Sequence, residues 1–424
     1  MTATGTAGGG RPGAQAAFGG LPGRLRLLGN GRFRILFFAT LGSGIGNWLA
    51  VIALQLDVYD RTHSGWWVGE LLIANILPAV FIGVLLGPLV DRLSRKGLMI
   101  ASDLGRLAVF ALLPFAQSAA QIVLLAVLAG IGNAFFRPAV LAGLPNLVSE
   151  QELPAANALL QLVDWATTAA GPLLGGAIVA ASGPHLAYWI NAVTFGVSAS
   201  LVFLLPARLL QSERPVGRGR WGDLAEGFEI VRASRPLTCV LVVWSIVMLA
   251  SGMVNLAEVF LARQSYHAGD LGFGLLWAGS GVGLVLGGLG SSELIERNLG
   301  GAYVRFLAVF AIGTACAAAA PDVWVGVAAM MLAGFGNGGA VVANITLVQR
   351  GAADRVRGRA FTVLISANYA VLGVAFVLAG PLTNAYGARW SYAGAAAIIV
   401  LAALVAARFA RGDGLSLRPA VGHT

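Results

Sequence analysis

The segment Gly83-Val-Leu-Leu-Gly-Pro-Leu-Val-Asp91-Arg92-Leu-Ser-Arg95-Lys96-Gly97 decides how this chain folds. It closes one long apolar run, places an acid and several cations at its end, and then opens a second apolar run. This layout is typical of a tight cytoplasmic turn between two membrane helices, because short cytoplasmic loops accumulate Lys and Arg. A carboxylate and cations at that place can lock helices together and release them, which a gate requires.

The composition of the whole chain points to a membrane. Of the 424 residues, 57% are hydrophobic and only 11% are charged, whereas soluble domains average about 25% charged residues. The mean hydropathy is +0.79. An aqueous fold could not bury this much apolar surface, so we expect lipid to cover it.

The chain contains twelve apolar runs of the length that crosses a bilayer as a helix, which is about 20 residues. The predicted spans are 33–57, 70–90, 97–117, 120–141, 156–181, 184–206, 236–261, 270–291, 302–320, 322–348, 360–382 and 386–408. Strands of a membrane barrel would be about 10 residues long with alternating polarity, and this pattern does not occur. The sequence therefore predicts an all-α membrane protein with twelve transmembrane helices.

The cations fall unevenly on the two sides of the predicted spans. With the N-terminus inside, most of the 28 Lys and Arg residues lie on inner segments, and only Arg61, Arg263 and Arg389 lie outside. This asymmetry predicts a multi-pass protein of the inner (cytoplasmic) membrane with both termini cytoplasmic. The net charge of +9 would face anionic membrane lipid. Because the cations are dispersed over loops, we do not expect nucleic acid as a partner.

The chain repeats itself at an offset of about 204 residues, since Leu128-Ala-Gly-Ile-Gly-Asn133 returns as Leu332-Ala-Gly-Phe-Gly-Asn337. Each half holds six spans, so both halves enter the membrane from the same side as parallel repeats. We therefore predict two pseudo-symmetric six-helix bundles that enclose a cavity and rock about it. The predicted organisation is a flexible cytoplasmic tail (1–32), an N-terminal bundle (33–206), a cytoplasmic connector (207–235), a C-terminal bundle (236–408) and a cytoplasmic C-terminal tail (409–424).

Three stretches carry a family resemblance. The segment from Gly87 to Lys96 resembles the signature between spans two and three of the major facilitator superfamily. Val58-Tyr-Asp-Arg-Thr62 and Phe135-Phe-Arg-Pro-Ala139 resemble its drug:proton antiporter branch, which includes macrolide-efflux and enterobactin-exporter-like proteins. The resemblance implies the facilitator fold and proton-coupled export of small molecules.

A motif of small residues in span five has two interpretations. Gly171-Pro172-Leu-Leu-Gly175-Gly176 is similar to the core of the antiporter motif of this family. Small residues and a Pro bend let helices approach closely. The same pattern would also result from generic helix packing, so both interpretations stay open.

Charged side chains inside the bilayer are costly and mark functional positions by default. Asp91 ends span two, Asp103 and Arg106 lie in the inner half of span three, and Arg137 lies late in span four. These four could form either a fixed salt-bridge network or a cytoplasmic gate. The predicted gate residues are Gly87, Asp91, Arg92, Arg95, Lys96, Asp103, Arg106 and Arg137.

Asp164 lies about 12–14 Å into span five, close to mid-membrane, with no cation nearby in its own helix. A carboxylate removed from water binds a proton more readily, which makes Asp164 the first candidate for a proton carrier. An ion pair with Arg137 or Arg106, or contact with a cationic substrate, would also explain it. Asp57 and Glu258, near the outer ends of spans one and seven, are the other proton-coupling candidates, although snorkelling would also explain them.

Polar and amphipathic side chains at the depth of the predicted cavity form the candidate substrate site. They are Asn47, Trp48, Gln55, Gln161, Trp244 and Asn255. Aromatic walls with few hydrogen-bonding groups suit a bulky amphipathic ligand.

No catalytic triad, metal-ligand cluster or phosphate-binding loop is visible in the sequence, so we predict no enzyme activity, no cofactor and no metal. An ion gradient, of protons or of sodium, would then drive transport. The sequence predicts a monomeric secondary transporter that exports a hydrophobic or amphipathic small molecule, such as a drug, antibiotic or siderophore, in exchange for protons. Uptake or lipid translocation by the same fold, and a non-transporting receptor or scaffold, are the alternatives.

Overall fold

The computed structural model describes residues 25–85, 93–207, 221–352 and 354–411. Three predicted gate residues, Gly87, Asp91 and Arg92, lie outside these ranges.

The described chain is built almost entirely of α-helices, and no strand occurs in it. The helices are α1 Gly31–Thr62, α2 Gly65–Leu85, α3 Arg95–Leu112, α4 Ala119–Gly143, α5 Leu153–Ser182, α6 Pro184–Phe203, α7 Trp221–Ala233, α8 Arg235–Phe260, α9 Gly269–Gly290, α10 Ser292–Arg297, α11 Leu299–Ala319, α12 Val323–Gly351, α13 Asp354–Tyr386 and α14 Ala388–Ala410. Within the described ranges, 11 helical spans are long and apolar enough to cross a membrane. The remaining predicted span, 70–90, coincides with α2 and continues past the described residues. The prediction of an all-α membrane protein is confirmed.

Two differences from the predicted spans have physical causes. Helix α1 continues to Thr62, past the predicted end at residue 57, because Asp57 pairs with Arg61 within the helix and the polar turn is thereby stabilised. The connector also holds a helix that hydropathy did not predict, α7. This helix packs against α13, where Glu226 accepts a 2.5 Å hydrogen bond from Arg359.

The 204-residue repeat is visible in the backbone. Gly183 and Gly387 are 204 positions apart, have φ of 76° and 85°, and separate α5 from α6 and α13 from α14. His63 and His267, also 204 apart, are the two non-glycine residues of the described chain with positive φ, at 47° and 51°. The left-handed region is uncommon for residues other than glycine, so its recurrence at matching turns shows that the two halves fold alike.

The same helix pairs pack in both halves. In the first half α1 contacts α5 and α6, while α4 contacts α2 and α3; in the second half α8 contacts α13 and α14, while α12 contacts α9 and α11. The halves meet where α5 packs on α9 and where α2 packs on α13, which are equivalent pairs in the repeat. The chain therefore forms two related six-helix bundles, and these two matching helix pairs are the most extensive contacts between them.

The bundle has two ends, which we call the terminal end and the distal end. At the terminal end the start of α1 meets the α4–α5 turn, where Asn30 donates a 3.0 Å hydrogen bond to the carbonyl of Leu147. The distal end holds the α1–α2 and α13–α14 turns. There the amide of Gly65 donates a 2.8 Å hydrogen bond to Asn384.

Candidate functional site

A cavity of about 350 Å³ lies inside the first bundle. Its walls come from α1, α2, α3 and α4, and its lining residues are Asn47, Trp48, Ala50, Val51, Leu54, Asn75, Ile76, Arg106, Phe110, Ala129, Gly130 and Asn133. We call it the N-half cavity.

A second cavity of about 260 Å³ lies in the other bundle, and we call it the C-half cavity. Helices α8, α9, α11, α12 and α13 line it, and Trp48 and Thr168 reach it from the first half. Trp48 therefore borders both cavities. Its ring centroid is 5.5 Å from that of Trp277, which lines the C-half cavity on α9.

The two cavities are lined by equivalent positions of the repeat. Nine pairs of lining residues are 204 positions apart: Asn47 and Ser251, Ala50 and Val254, Val51 and Asn255, Leu54 and Glu258, Ile76 and Ser280, Arg106 and Phe310, Phe110 and Thr314, Ala129 and Ala333, and Asn133 and Asn337. The cavity itself is thus duplicated. The charged residues differ between the copies, with Arg106 in the N-half cavity and Glu258 in the C-half cavity.

Glu258 is buried without a partner. Only 2% of its surface is exposed, and its Oε1 has no hydrogen-bond partner among the described residues. The phenols of Tyr266 and Tyr392 are ionisable groups in its neighbourhood. The Tyr266 hydroxyl is bonded to the carbonyl of Ala317, and the Tyr392 hydroxyl is unpartnered within the described ranges. No cation of the described chain forms an ion pair with this carboxylate.

Asp164, the first proton-carrier candidate from the sequence, lies in an ion pair with Arg137 on α4. The guanidinium Nη1 donates to Oδ1 at 2.7 Å and Nη2 contacts Oδ2, so both carboxylate oxygens are bound. The two side chains are 41% and 31% exposed. Both carboxylate oxygens of Asp164 therefore face a cation, whereas Glu258 has no such partner in the described chain.

The structure divides the predicted cytoplasmic cluster into separate pairs. Asp103 and Arg106 bond to each other at 2.5 Å and are almost completely buried, with the guanidinium 4.7 Å and 4.1 Å from the ring centroids of Phe136 and Phe195. Arg137 pairs with Asp164 instead, and no hydrogen bond or ion pair within the described ranges joins the two pairs.

The other two gate cations, Arg95 and Lys96, lie at the terminal end. They donate to the backbone carbonyls of Ala142 and Phe203 at 2.8 Å and 2.7 Å. Each cation thereby ties the start of α3 to a neighbouring helix of the same bundle.

Asp57 belongs to a closed network near the distal end of α1. Its oxygens accept hydrogen bonds from Arg61 at 2.6 Å and from the Tyr188 hydroxyl at 2.9 Å. Both of these partners hold the Asp57 carboxylate in the network, and Asp57 lines neither cavity.

Three of the six predicted substrate-cavity residues line the cavities, namely Asn47, Trp48 and Asn255. The other three do not. Gln55 is buried and donates to the carbonyl of Val51, Gln161 is exposed on α5, and Trp244 packs against the core of the second bundle.

The cavity residues that sequence reasoning missed include Trp277, Asn133 and Asn337. The two asparagines end the repeated motif on which the internal duplication was recognised, so their recurrence could have identified them. Trp277 had no such signal.

Small residues let the two halves touch closely in the distal part of the interface. A Cβ added to Gly176 would lie 2.7 Å from the carbonyl oxygen of Asp270, and one added to Gly274 would lie 2.6 Å from that of Pro172. At the equivalent contact a Cβ on Gly380 would lie 2.7 Å from the carbonyl of Gly65. Gly171 and Gly175 of the same motif pack on α1, against Trp48 and Ile52.

The family model described as Major Facilitator Superfamily matches residues 36–364. The chain belongs to the major facilitator superfamily. The resemblance read from the sequence is thereby confirmed.

This facilitator is similar to two curated bacterial transporters. It is 27% identical to the multidrug efflux pump Tap of Mycobacterium tuberculosis H37Rv over 405 residues, which cover 91% of this chain and 95% of the pump. It is 27% identical to the enterobactin exporter EntS of Salmonella typhimurium over 340 residues, which cover 77% of this chain and 80% of the exporter.

The fold of this facilitator also matches solved structures. A bacterial homologue of the iron transporter ferroportin, crystallised in an inward-facing state, superimposes with a TM-score of 0.69 at 16% sequence identity. The match covers 90% of this chain and 98% of that chain.

Arg263 joins the two halves of the facilitator at the distal end. It lies in the π-helical turn Leu261–Ser265 that follows α8. Its Nη2 donates to both carboxylate oxygens of Asp60 on α1, at 2.8 Å and 2.9 Å, and it also pairs with Asp270 on α9. One guanidinium thus holds carboxylates from opposite halves.

Replacing Arg263 with Ala is expected to weaken distal closure, because Asp60 and Asp270 would then repel each other with no cation between them. Spin labels at Ser182 and Trp324, two exposed distal residues of different halves, would report the opening. We expect the label-to-label distance distribution to gain a longer component.

The control for this experiment is Arg297→Ala, which breaks an exposed ion pair with Glu293 at the terminal end. All variants are made in a chain whose Cys239 and Cys316 are replaced, so that only the introduced cysteines carry labels. An unchanged distance distribution in Arg263→Ala would show that this residue does not hold the distal end closed.

Proposed function

We propose that this facilitator is a secondary transporter that exports a hydrophobic or amphipathic small molecule from the cell in exchange for protons. Its similarity to a multidrug efflux pump and to an enterobactin exporter, along most of its length, supports export. The observation that carries the proposal is the unpaired carboxylate of Glu258 in the C-half cavity. A group of this kind requires either a proton or a cationic partner in a medium of low dielectric constant.

The orientation of the protein is part of the proposal. The excess of Lys and Arg on the segments of the terminal end favours a cytoplasmic location for that end and for both termini. The membrane is then the cytoplasmic membrane, and the conformation described above is closed toward the outside. Rocking of the bundles 33–206 and 236–408 would separate the glycine contacts of α5 with α9 and expose the cavities to the outside.

Protons would couple to transport at Glu258. In the conformation open to the outside, the carboxylate would take up a proton; in the conformation open to the cytoplasm, it would release the proton and become free to hold substrate. The ion pair of Asp164 with Arg137 would persist in both states. We further propose that a single chain performs the whole cycle, with surrounding lipid and protons as its partners besides the substrate.

The test is proton-driven flux in proteoliposomes that contain the full chain, with ethidium, tetracycline and chloramphenicol as transported probes. Glu258→Gln is expected to reduce proton-driven flux to that of protein-free liposomes, because the amide cannot exchange a proton. Glu293→Gln, which removes an exposed carboxylate at the terminal end, is the matched control and should retain flux. Size-exclusion profiles of both variants check that they fold.

Two outcomes would contradict this assignment. If the wild-type protein moves none of the probes against their gradient under an imposed proton gradient, proton-coupled export falls. If Asp164→Asn removes coupling and Glu258→Gln preserves it, the proton is carried by Asp164, as the sequence alone first indicated.

A further inference from the structure

The two cavities differ in their balance of charge. The N-half cavity holds Arg106, but its charge is matched by Asp103 at 2.5 Å. The C-half cavity has Phe310 at the position equivalent to Arg106, and it has Glu258 where the N-half cavity has Leu54. The duplicated pocket therefore carries a carboxyl group without a cationic partner from the described chain in one copy only.

The other walls of the C-half cavity suit an aromatic ligand. The indoles of Trp48 and Trp277, one from each half, present their rings at its border. Aromatic faces attract cations as well as stack on flat apolar groups. The indole Nε1 of Trp277 is buried without a partner among the described residues, and Asn255 adds an amide. The cavity thus offers a carboxylate, an aromatic wall and unused hydrogen-bonding groups.

A metal ion does not fit this site. Ca²⁺ takes about 6–8 oxygen ligands and transition metals favour clusters of His, Cys or carboxylates. Glu258 is a single carboxylate, and no group of three or more His, Cys, Asp or Glu residues that could hold a metal occurs in the described ranges. An organic cation fits this lining, because one carboxylate can match its charge and the two indoles can contact its apolar body.

We infer that the C-half cavity binds organic cations with an aromatic body, and that Glu258 is the residue that selects for their positive charge. The inference rests on the proposed function in one respect, namely that this cavity receives the transported molecule. The cationic group contacts Glu258, and the aromatic part lies against Trp48 and Trp277. The proton and the ligand then occupy the same carboxylate in turn.

The experiment measures binding of tetraphenylphosphonium to the purified full chain in nanodiscs, by equilibrium dialysis at pH 7.5. Tetraphenylborate, of the same shape and opposite charge, and neutral triphenylphosphine oxide are the matched probes. We expect tetraphenylphosphonium to bind and the other two to bind much more weakly. Glu258→Gln is expected to weaken its binding about 10- to 100-fold, the range for losing one contact to a charged group.

Two further variants keep the inference falsifiable if Glu258→Gln is unstable. Glu258→Asp preserves the charge and should retain part of the binding, while Glu258→Leu installs the residue of the N-half cavity and should abolish it. Glu293→Gln is the control with unchanged binding. Equal affinity of the wild-type protein for tetraphenylphosphonium and tetraphenylborate, or unchanged binding in Glu258→Gln, would overturn the inference.

The binding and flux experiments fail independently. If the wild-type protein exports neutral chloramphenicol in exchange for protons but does not bind tetraphenylphosphonium, the inference of cation selection is wrong and the proposed function is supported. If tetraphenylphosphonium binds through Glu258 but no probe moves against its gradient, the proposed function is wrong and the inferred binding site is supported.

Discussion

Gly176→Val is expected to abolish transport while leaving both bundles folded. The added Cβ would lie 2.7 Å from the carbonyl oxygen of Asp270 and 2.9 Å from the Cα of Gly274. Both neighbours are backbone atoms, so the clash is relieved only by moving α5 away from α9. The variant therefore cannot reach the conformation closed at the distal end, and a transporter that lacks one of its two end states completes no cycle.

Two measurements check this result. Flux in proteoliposomes should fall to that of protein-free vesicles, and the distance between spin labels at Ser182 and Trp324 should lengthen. The control is Gly105→Val on α3, since a Cβ at Gly105 meets no atom within 4 Å and flux should persist. Full transport in Gly176→Val would show that close contact between these helices is not needed for the cycle.

The second large effect concerns the buried pair of Asp103 and Arg106. Asp103→Ala leaves a guanidinium buried between two aromatic rings with no counter-charge. Removing one partner of a buried ion pair costs about 3–5 kcal/mol of unfolding free energy. Replacing both partners with apolar residues of similar volume is close to neutral, so we expect Asp103→Leu with Arg106→Met to recover most of the lost stability.

The readout is the free energy of unfolding in detergent, measured by denaturant titration. Asp164→Ala provides the comparison, because its pair with Arg137 is 31–41% exposed and exposed pairs contribute at most about 1 kcal/mol. If the double variant is as unstable as Asp103→Ala, the pair stabilises the bundle through contacts of its own and not only because each charge neutralises the other.

The helices and the duplication could be predicted from the sequence because both depend on patterns along the chain. The lengths of the apolar runs predicted the spans. The motif that ends in Asn133 and Asn337 predicted the 204-residue offset, and the same offset relates the residues that line the two cavities. Asp103 with Arg106 could also be paired, since residues three apart share one helix face.

The partners of residues on different helices could not be read in this way. Whether Asp164 meets Arg137, and whether Glu258 meets any cation, depends on how each helix is rotated about its axis. A helix that is apolar on every side gives no periodic signal of that rotation. For the same reason Trp277 was missed, and Gln161 and Trp244 were placed in a cavity that they do not line.

The separation between Glu258 and the glycine contacts has a consequence for how such proteins diversify. Glu258 lies on α8, whereas the glycine contacts between the halves lie on α2, α5, α9 and α13. A substitution at Glu258 on α8 is therefore expected to alter which molecules bind without disturbing the glycine contacts of α5 with α9 and of α2 with α13. With Glu258 as the selecting residue proposed above, we expect a change in one half alone to alter substrate choice while the contacts of α5 with α9 stay in place.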